Sequence, residues 1–265
     1  MTPALLMGAV AYDPKVVTIW EGFRGWLTGR GLDFDFVLYS HYERQVEDLV
    51  AGRIDAAWNS PLAWLRAERL AGAAGKRVRA LAMRDTDRDL TSVVVVRADS
   101  PVQRVEDLAG KVVGTGALDS PQATLIPLAH LRAAGVTPTV RRFDIGVGLH
   151  GDHIGGERDA ALALVAGEVD AACMIDANHL AFAKEGTLAP DATRILAQTA
   201  AFDHCNLTVV DGQAEEAVAL FWTLLASMSY ADAEVRPLLD LEGLTAWEEG
   251  RTTGYAALDE AVTAT

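Results

Sequence analysis

VEDLVAGRIDAAW (46–58) and LALVAGEVDAAC (162–173) carry one phrase twice: Leu-Val-Ala-Gly-x-[Ile/Val]-Asp-Ala-Ala, with glycines at Gly52 and Gly167. Each copy reads as an amphipathic helix, a glycine stop and a short apolar strand. Glycine suits the left-handed residue that closes a helix. The acid that follows leads into a buried run, Ala-Ala-Trp in one copy and Ala-Ala-Cys in the other. The same helix–turn–strand unit, once in each half, predicts two similar α/β lobes. A pair of lobes makes a cleft, and clefts take small molecules.

The neighbouring segments extend the pattern. Residues 5–11, 34–39, 56–58, 78–83 and 92–97 read as strands, and 16–30, 42–51 and 61–74 as helices, with Val16, Ile19, Trp20, Phe23, Trp26 and Leu27 at helical spacing. A second series follows: strands at 111–115, 139–143, 171–175 and 195–200, and helices at 121–134, 158–166 and 178–184. Residues 215–229 and 255–263 are helical again. A βαβα order predicts a mostly parallel sheet with helices on its faces. The polar, turn-rich stretch from 98 to 111 is the expected crossing between lobes, and 195–200 the expected return. The resulting division is 1–97 plus 205–265 for the first lobe and 98–204 for the second.

Composition narrows the function. The chain has 265 residues, half of them hydrophobic, so it can bury a core without disulfides or metal. Its net charge of −14 repels phosphate backbones and argues against nucleic acid, though not against a small anion met by local donors. Cys173 and Cys205 make no disulfide framework. No run approaches the ~18 apolar residues of a membrane span. The start, MTPALLMG, has no basic region, long apolar stretch or cleavage site, so the expected location is cytoplasmic as written, or periplasmic or extracellular if a signal peptide was removed.

In parallel α/β lobes, ligands sit beyond the carboxyl ends of strands. That rule selects Tyr12, then His41 and Tyr42, then Asn59 and Ser60, and in the second lobe Ser120 to Gln122, the loop from His150 to Gly156, and Asp176. Asp119-Ser120-Pro121 reads as a helix start, with Ser120 the cap and Pro121 at the first helical position. Free N–H groups there make an anion site. Asn59-Ser60-Pro61 is a second such start. His150 and His153 form an H-x-x-H in a glycine-rich loop; they are weak metal candidates, a solvated loop is the favoured reading, and neither metal nor cofactor is expected. His41, His150, His153 and Cys205 are the candidates for acid–base or nucleophilic chemistry. His204 adjoins Cys205, but neighbours along a strand point to opposite faces, which disfavours a dyad.

Four stretches together resemble the phosphate/phosphite/phosphonate-binding proteins of ABC transporters: 40–67 (SHYERQVEDLVAGRIDAAWNSPLAWLRA), 104–135 (RVEDLAGKVVGTGALDSPQATLIPLAHLRAAG), 155–180 (GGERDAALALVAGEVDAACMIDANHL) and 236–258 (RPLLDLEGLTAWEEGRTTGYAAL). The resemblance implies a two-lobe type II periplasmic-binding-protein fold, with a two-strand hinge and a central ligand cleft. It implies that the Ser120 loop holds oxyanion oxygens and that Asp176 contacts ligand. Where the family carries a ligand-contacting His, this chain has Glu157-Arg158, which makes Arg158 a candidate contact. Where the family often carries an Asp-Pro-like pair, it has Asp203-His204-Cys205-Asn206, with His204 a candidate contact. The expected function is binding of a small polar, anionic (phosphonate- or phosphate-like) metabolite, with a transporter permease as partner if an exported form exists. The alternative is a cytoplasmic lyase-like, dehydratase-like or metal-assisted enzyme that uses the same site.

Overall fold

The computed structural model describes residues 2–144 and 153–263. The first half contains β1 (Ala4–Val10), α1 (Lys15–Thr28), β2 (Asp33–Tyr39), α2 (Tyr42–Val50), β3 (Ala56–Asn59), α3 (Pro61–Ala73) and β4 (Val78–Arg84). Next come β5 (Ser92–Arg97), β6 (Val112–Thr115), a π-helical turn (Pro121–Leu125) running directly into α4 (Ile126–Ala133), β7 (Thr139–Arg142), α5 (His153–Val165), β8 (Ala171–Ile175), α6 (Asp176–Glu185) and β9 (Thr193–Gln198). The chain ends with β10 (Asn206–Val210), α7 (Glu215–Ser227), α8 (Arg236–Glu242), β11 (Trp247–Glu249) and α9 (Ala256–Thr263).

These elements form two compact units, 1–88 with 203–255 and 89–202 with 256–265. The first holds a six-stranded sheet in the order β11-β4-β10-β3-β1-β2, the second a five-stranded sheet in the order β7-β6-β8-β5-β9. Both sheets are mixed: β1, β2 and β3 run parallel, as do β6, β7 and β8, whereas β10 pairs antiparallel with β3 and β4, and β5 antiparallel with β8 and β9.

Three assignments from sequence change. β5 was expected in the first lobe, yet it is a central strand of the second sheet, its valines buried between β8 and β9. Residues 98–111 therefore lie within the second unit, and β9 is an edge strand there rather than the return. The last helix, α9, packs on α4 in the second unit. In each case periodicity gave the element correctly, but pairing between distant segments chose its sheet. The chain passes between units at 88/89 and 202/203, and a third time at 255/256.

The repeated phrase builds the same device in both sheets. Gly52 and Gly167 have φ of +73° and +75°, the left-handed conformation that ends α2 and α5. The next acid then bridges to the neighbouring parallel strand. Asp55 accepts the Leu6 N–H at 2.8 Å and donates its own N–H to the Leu6 carbonyl; Asp170 accepts the Val112 N–H at 2.9 Å and donates to the Val112 carbonyl. In register, the second alanine of each phrase faces a glycine: Ala57 opposite Gly8, and Ala172 opposite Gly114. A Cβ at Gly8 would stand 2.6 Å from Ile54 Cδ1, and one at Gly114 would stand 3.4 Å from Val169 Cγ2. Ile54 and Val169 hold the same place in the phrase; Gly8 makes room for Ile54, whereas at Gly114 the tighter neighbour is Phe143, at 3.2 Å.

Removing either carboxylate strands an N–H at the mouth of a strand. Asp55→Ala and Asp170→Ala should each lower stability by about 1–3 kcal/mol in thermal or urea unfolding. Wild-type melting in both variants would show that the bridge carries no weight.

Candidate functional site

In the second unit the carboxyl end of β6 leads into the loop 116–120. Ser120 is fully buried, and its Oγ accepts the Ala123 N–H at 3.2 Å, so it caps the helix as its sequence predicts. The Ser120 carbonyl accepts the N–H groups of Thr124 and Leu125. Thr124 Oγ1 donates to the Ala117 carbonyl at 2.8 Å, and Ser92 Oγ on β5 donates to the Gln122 carbonyl at 2.6 Å. The first turn is thus held at both ends. Pro121 has no N–H to leave unpaired, and the Gln122 N–H, in the first turn, has no intrahelical acceptor.

Two further features give this helix start its chemistry. Gln122 is 5% exposed, yet its Oε1 is buried without a hydrogen-bond partner among the described residues. Leaving a buried amide oxygen unsatisfied costs about 1–3 kcal/mol. The N-terminal end of α5 also reaches the loop: a Cβ on Gly156 would stand 2.6 Å from the Phe143 carbonyl and 3.8 Å from the Ala117 nitrogen. Two helix N-termini therefore meet at one loop, and both dipoles favour negative charge there.

Asp176 and Arg158 are engaged elsewhere in this unit. Asp176 Oδ2 accepts from Thr91 Oγ1 at 2.7 Å, and Thr91 Oγ1 in turn accepts from Gln198 Nε2 at 2.7 Å. Arg158 pairs with Glu185 through Nε and Nη2, and its guanidinium lies 4.9 Å from the Phe182 ring centroid. Glu157, fully buried, ties α5 to the next strand and helix: its Oε2 accepts the Ile175 N–H and the Asn178 amide. His150, and the side chain of His153, lie outside the described residues.

In the first unit, Ser60 caps α3 by accepting the Ala63 N–H at 3.3 Å, and His41 occupies the cap position of α2, exposed and without a side-chain capping bond. Tyr42 packs beside Val46 and Ala63, and Tyr12 is 44% exposed. Asn59 points inward. Its side chain accepts from Gln45 Nε2 at 2.8 Å and donates to Thr208 Oγ1 at 2.8 Å, in a buried chain that continues through Asn206 and the Tyr255 hydroxyl to the His204 carbonyl. Asn59 thus holds β3 to β10. Asp203 is locked by Arg251 in a two-point ion pair of 2.7 and 2.6 Å.

Around Arg84, at the end of β4, sits a buried ionic cluster that the sequence did not announce. Arg84 donates through Nε and Nη2 to both oxygens of Asp87, and through Nη1 to the Glu242 carbonyl at 2.9 Å, with Glu242 Oε1 at 3.4 Å. The guanidinium lies 5.2 Å from the Trp58 ring centroid. Asp87 also accepts the Cys205 N–H, and His204 Nδ1 is 3.4 Å from it. Burial alone would raise the Asp87 carboxyl; Arg84 overrides it and brings the group down to about 2. Glu242 lacks that advantage, and burial pushes it up to about 7 against the pull of Arg84.

His204, Cys205 and Asp87 present metal-type donor atoms within 4.8 Å of one another. Both Asp87 oxygens already serve the guanidinium, which supplies the positive charge a metal would bring. His204 Nδ1 does stand 3.2 Å from Cys205 Sγ, closer than strand alternation led us to expect, because the two precede β10 rather than lie in it. Burial, reinforced by Asp87, holds the thiol far above its ordinary range. A protonated, buried sulfur is a poor nucleophile.

The fold matches known proteins throughout. A solved structure of PhnD1 from Prochlorococcus marinus (MIT 9301), in complex with methylphosphonate, aligns with a TM-score of 0.70 at 15% identity, over 100% of this chain and 98% of that one. XAC2383 from Xanthomonas citri bound to chloride aligns with a TM-score of 0.71 at 16% identity, over 99% and 100%. In sequence, the chain is 30% identical over 171 residues to the phosphate-import protein PhnD of Mycolicibacterium smegmatis (strain ATCC 700084 / mc(2)155), covering 63% of this chain and 50% of that protein. The chain thus spans half the length of that relative. The family described as ABC transporter, phosphonate, periplasmic substrate-binding protein matches residues 9–255, which take in every strand from β2 to β11 and the end of β1, and the chain belongs to that family.

Proposed function

We propose that this protein binds a small oxyanion of the phosphonate or phosphate class and serves as the substrate-binding component of an ABC transporter, with a permease as its partner. The observation that carries this reading is the Ser120 helix start, where two helix N-termini meet at one loop. Such a site offers backbone donors and helix dipoles to an anion. The relative named for phosphate import and the fold neighbour holding methylphosphonate support the same ligand class. The family's description as periplasmic favours the exported location over the cytoplasmic one. Among the described residues, no helix is long and apolar enough to cross a membrane.

In this reading the Ser120 helix start faces the anion, and the capped start of α3 at Ser60, with His41 and Tyr12, is the corresponding strand-end position of the first unit. Asn59, Asp176, Arg158 and His204, all committed to bonds within their own units, hold the loops in place. The enzyme alternative loses its nucleophile with the Cys205 thiol held protonated.

Isothermal titration calorimetry with methylphosphonate, inorganic phosphate and phosphite tests the reading directly. At least one should bind, with ligand-dependent stabilisation against heat. Absence of binding by all three would reject the ligand class, and phosphorus NMR showing conversion of a bound ligand would reject a pure binder. Gln122→Met should leave the melting temperature equal or higher, since it removes an unsatisfied polar atom. Ser120→Ala should cost about 1 kcal/mol of stability through the lost cap and weaken the same ligand.

A further inference from the structure

We propose that Pro127 and Ser92 are positioning residues for the bound anion: the proline imposes the π-helical first turn after Ser120, and the serine hydroxyl holds that turn, so that the loop 116–120 is set before a ligand arrives. The proposal rests on the anion-binding reading above for its ligand, and on hydrogen bonds within the second unit for its mechanism.

The cause lies in the chain itself. Pro121 opens the helical run 121–133 at a position that tolerates proline, but Pro127 falls inside the run. A proline there has no N–H, and its ring crowds the carbonyl four residues back, here that of Ala123. A wider, π-helical turn relieves the crowding. The bonds show it: the Leu125 N–H reaches the Ser120 carbonyl and the Ile126 N–H the Pro121 carbonyl, each five residues back. Two carbonyls lose a helical donor as a result. Residue 127 is where Ala123 would find its α-helical donor and Gln122 its π-helical one.

Both carbonyls find donors outside the helix. The Ala123 carbonyl accepts the Gly116 N–H at 3.3 Å, and the Gln122 carbonyl accepts from Ser92 Oγ at 2.6 Å. Ser92 is fully buried at the start of β5, and its own N–H and carbonyl are paired with Thr199, so the sheet anchors the hydroxyl. Gly116 comes so near that a Cβ there would stand 2.9 Å from the Ala123 Cβ. The Thr124 hydroxyl and the Ser120 N–H both donate to the Ala117 carbonyl. The loop is thus folded onto the first turn by bonds from both of its ends.

The consequence for binding is preorganisation. Backbone N–H groups hold an anion well when they already point the right way, because ordering them on binding costs affinity. An ordinary α-helical start would return the Gln122 carbonyl to the Ile126 N–H, leave the Ser92 hydroxyl without its acceptor and free the Gly116 N–H. The helix would be better bonded and the loop worse held. Pro127 exchanges helical hydrogen bonds for a fixed loop, and Ser92 keeps the exchange from stranding a buried carbonyl.

Two measurements on the full chain test the proposal. The first needs no ligand. Ser92→Ala should lower the melting temperature by several degrees, because it strands the Gln122 carbonyl. In a Pro127→Ala background the same change should cost far less, because the Ile126 N–H can then take that carbonyl. Should Ser92→Ala alone not fold, the double variant should. Equal penalties in both backgrounds, or a double variant that also fails to fold, overturn the mechanism. The second measurement is calorimetry with methylphosphonate and inorganic phosphate. Pro127→Ala should raise the Kd of whichever anion the wild type binds about tenfold, the size of one lost hydrogen bond. Leu131→Ala, a buried truncation on the same helix that leaves both outside bonds in place, should leave that Kd unchanged. A wild-type Kd in Pro127→Ala, or an equal loss in Leu131→Ala, overturns the positioning role. If the wild type binds neither anion, the anion reading fails and the positioning role with it, while the melting comparison still judges the turn.

Discussion

A carboxylate at the mouth of a strand holds each half of this protein together. Asp55 and Asp170 each exchange a two-way contact with the neighbouring parallel strand, the side chain accepting an N–H and the backbone N–H reaching the same residue's carbonyl. The contact joins the turn after a helix to the first residues of an adjacent strand and so sets the register of the parallel core. A slip of one residue would turn every side chain of the strand to the wrong face. The left-handed glycine before each acid aims it, and the missing side chain at Gly8 lets Ile54 come close. One local solution, used twice, sets the position of every strand end from which the functional loops depart.

Those loops carry two kinds of polar group, and the distinction organises the chemistry. Asn59, Asp176, Glu157 and Asp203 spend their hydrogen bonds on the protein and fix loop geometry. Ser120 caps its helix, whereas the Gln122 amide keeps an unmet acceptor in a buried place. Gln122 Oε1 shares that state with Gln45 Oε1 and the indole nitrogens of Trp26, Trp64 and Trp247, so it is the pair of helix N-termini that distinguishes the Ser120 loop. The Arg84 cluster belongs to neither kind: one guanidinium is shared between the Asp87 and Glu242 carboxyls, and burial raises the second.

Local signals were legible at the level of single residues. The doubled phrase identified both glycine stops and both buried strands, and the Asp-Ser-Pro run located the capped helix start at Ser120. Membership of the phosphonate-binding family was readable from the order of four stretches. Less legible were the partners of polar side chains. Asn59 looked equally suited to a ligand or to the backbone, and its actual partners, Gln45 and Thr208, lie 14 and 149 residues away. Arg84 and Glu242 are separated by 158 residues, and no periodicity links them. A signal for that cluster did exist in retrospect, since an arginine closing an apolar strand must bring a counter-charge or reach water; its partner could not be named from it.

What the sequence alone determined is therefore the set of elements and the turns between them, because helix period, glycine stops and caps act over a few residues. What only the tertiary structure decided is which sheet received each strand. β5 and α9 carry ordinary local patterns, and nothing within them records that β5 would fill the slot between β8 and β9 or that α9 would pack on α4. Strand pairing and burial of a helix face are settled by competition among distant surfaces for the same apolar contacts. The same competition brought one guanidinium to two acids from distant parts of the chain and gave them unequal shares, an outcome no single stretch of the chain reveals.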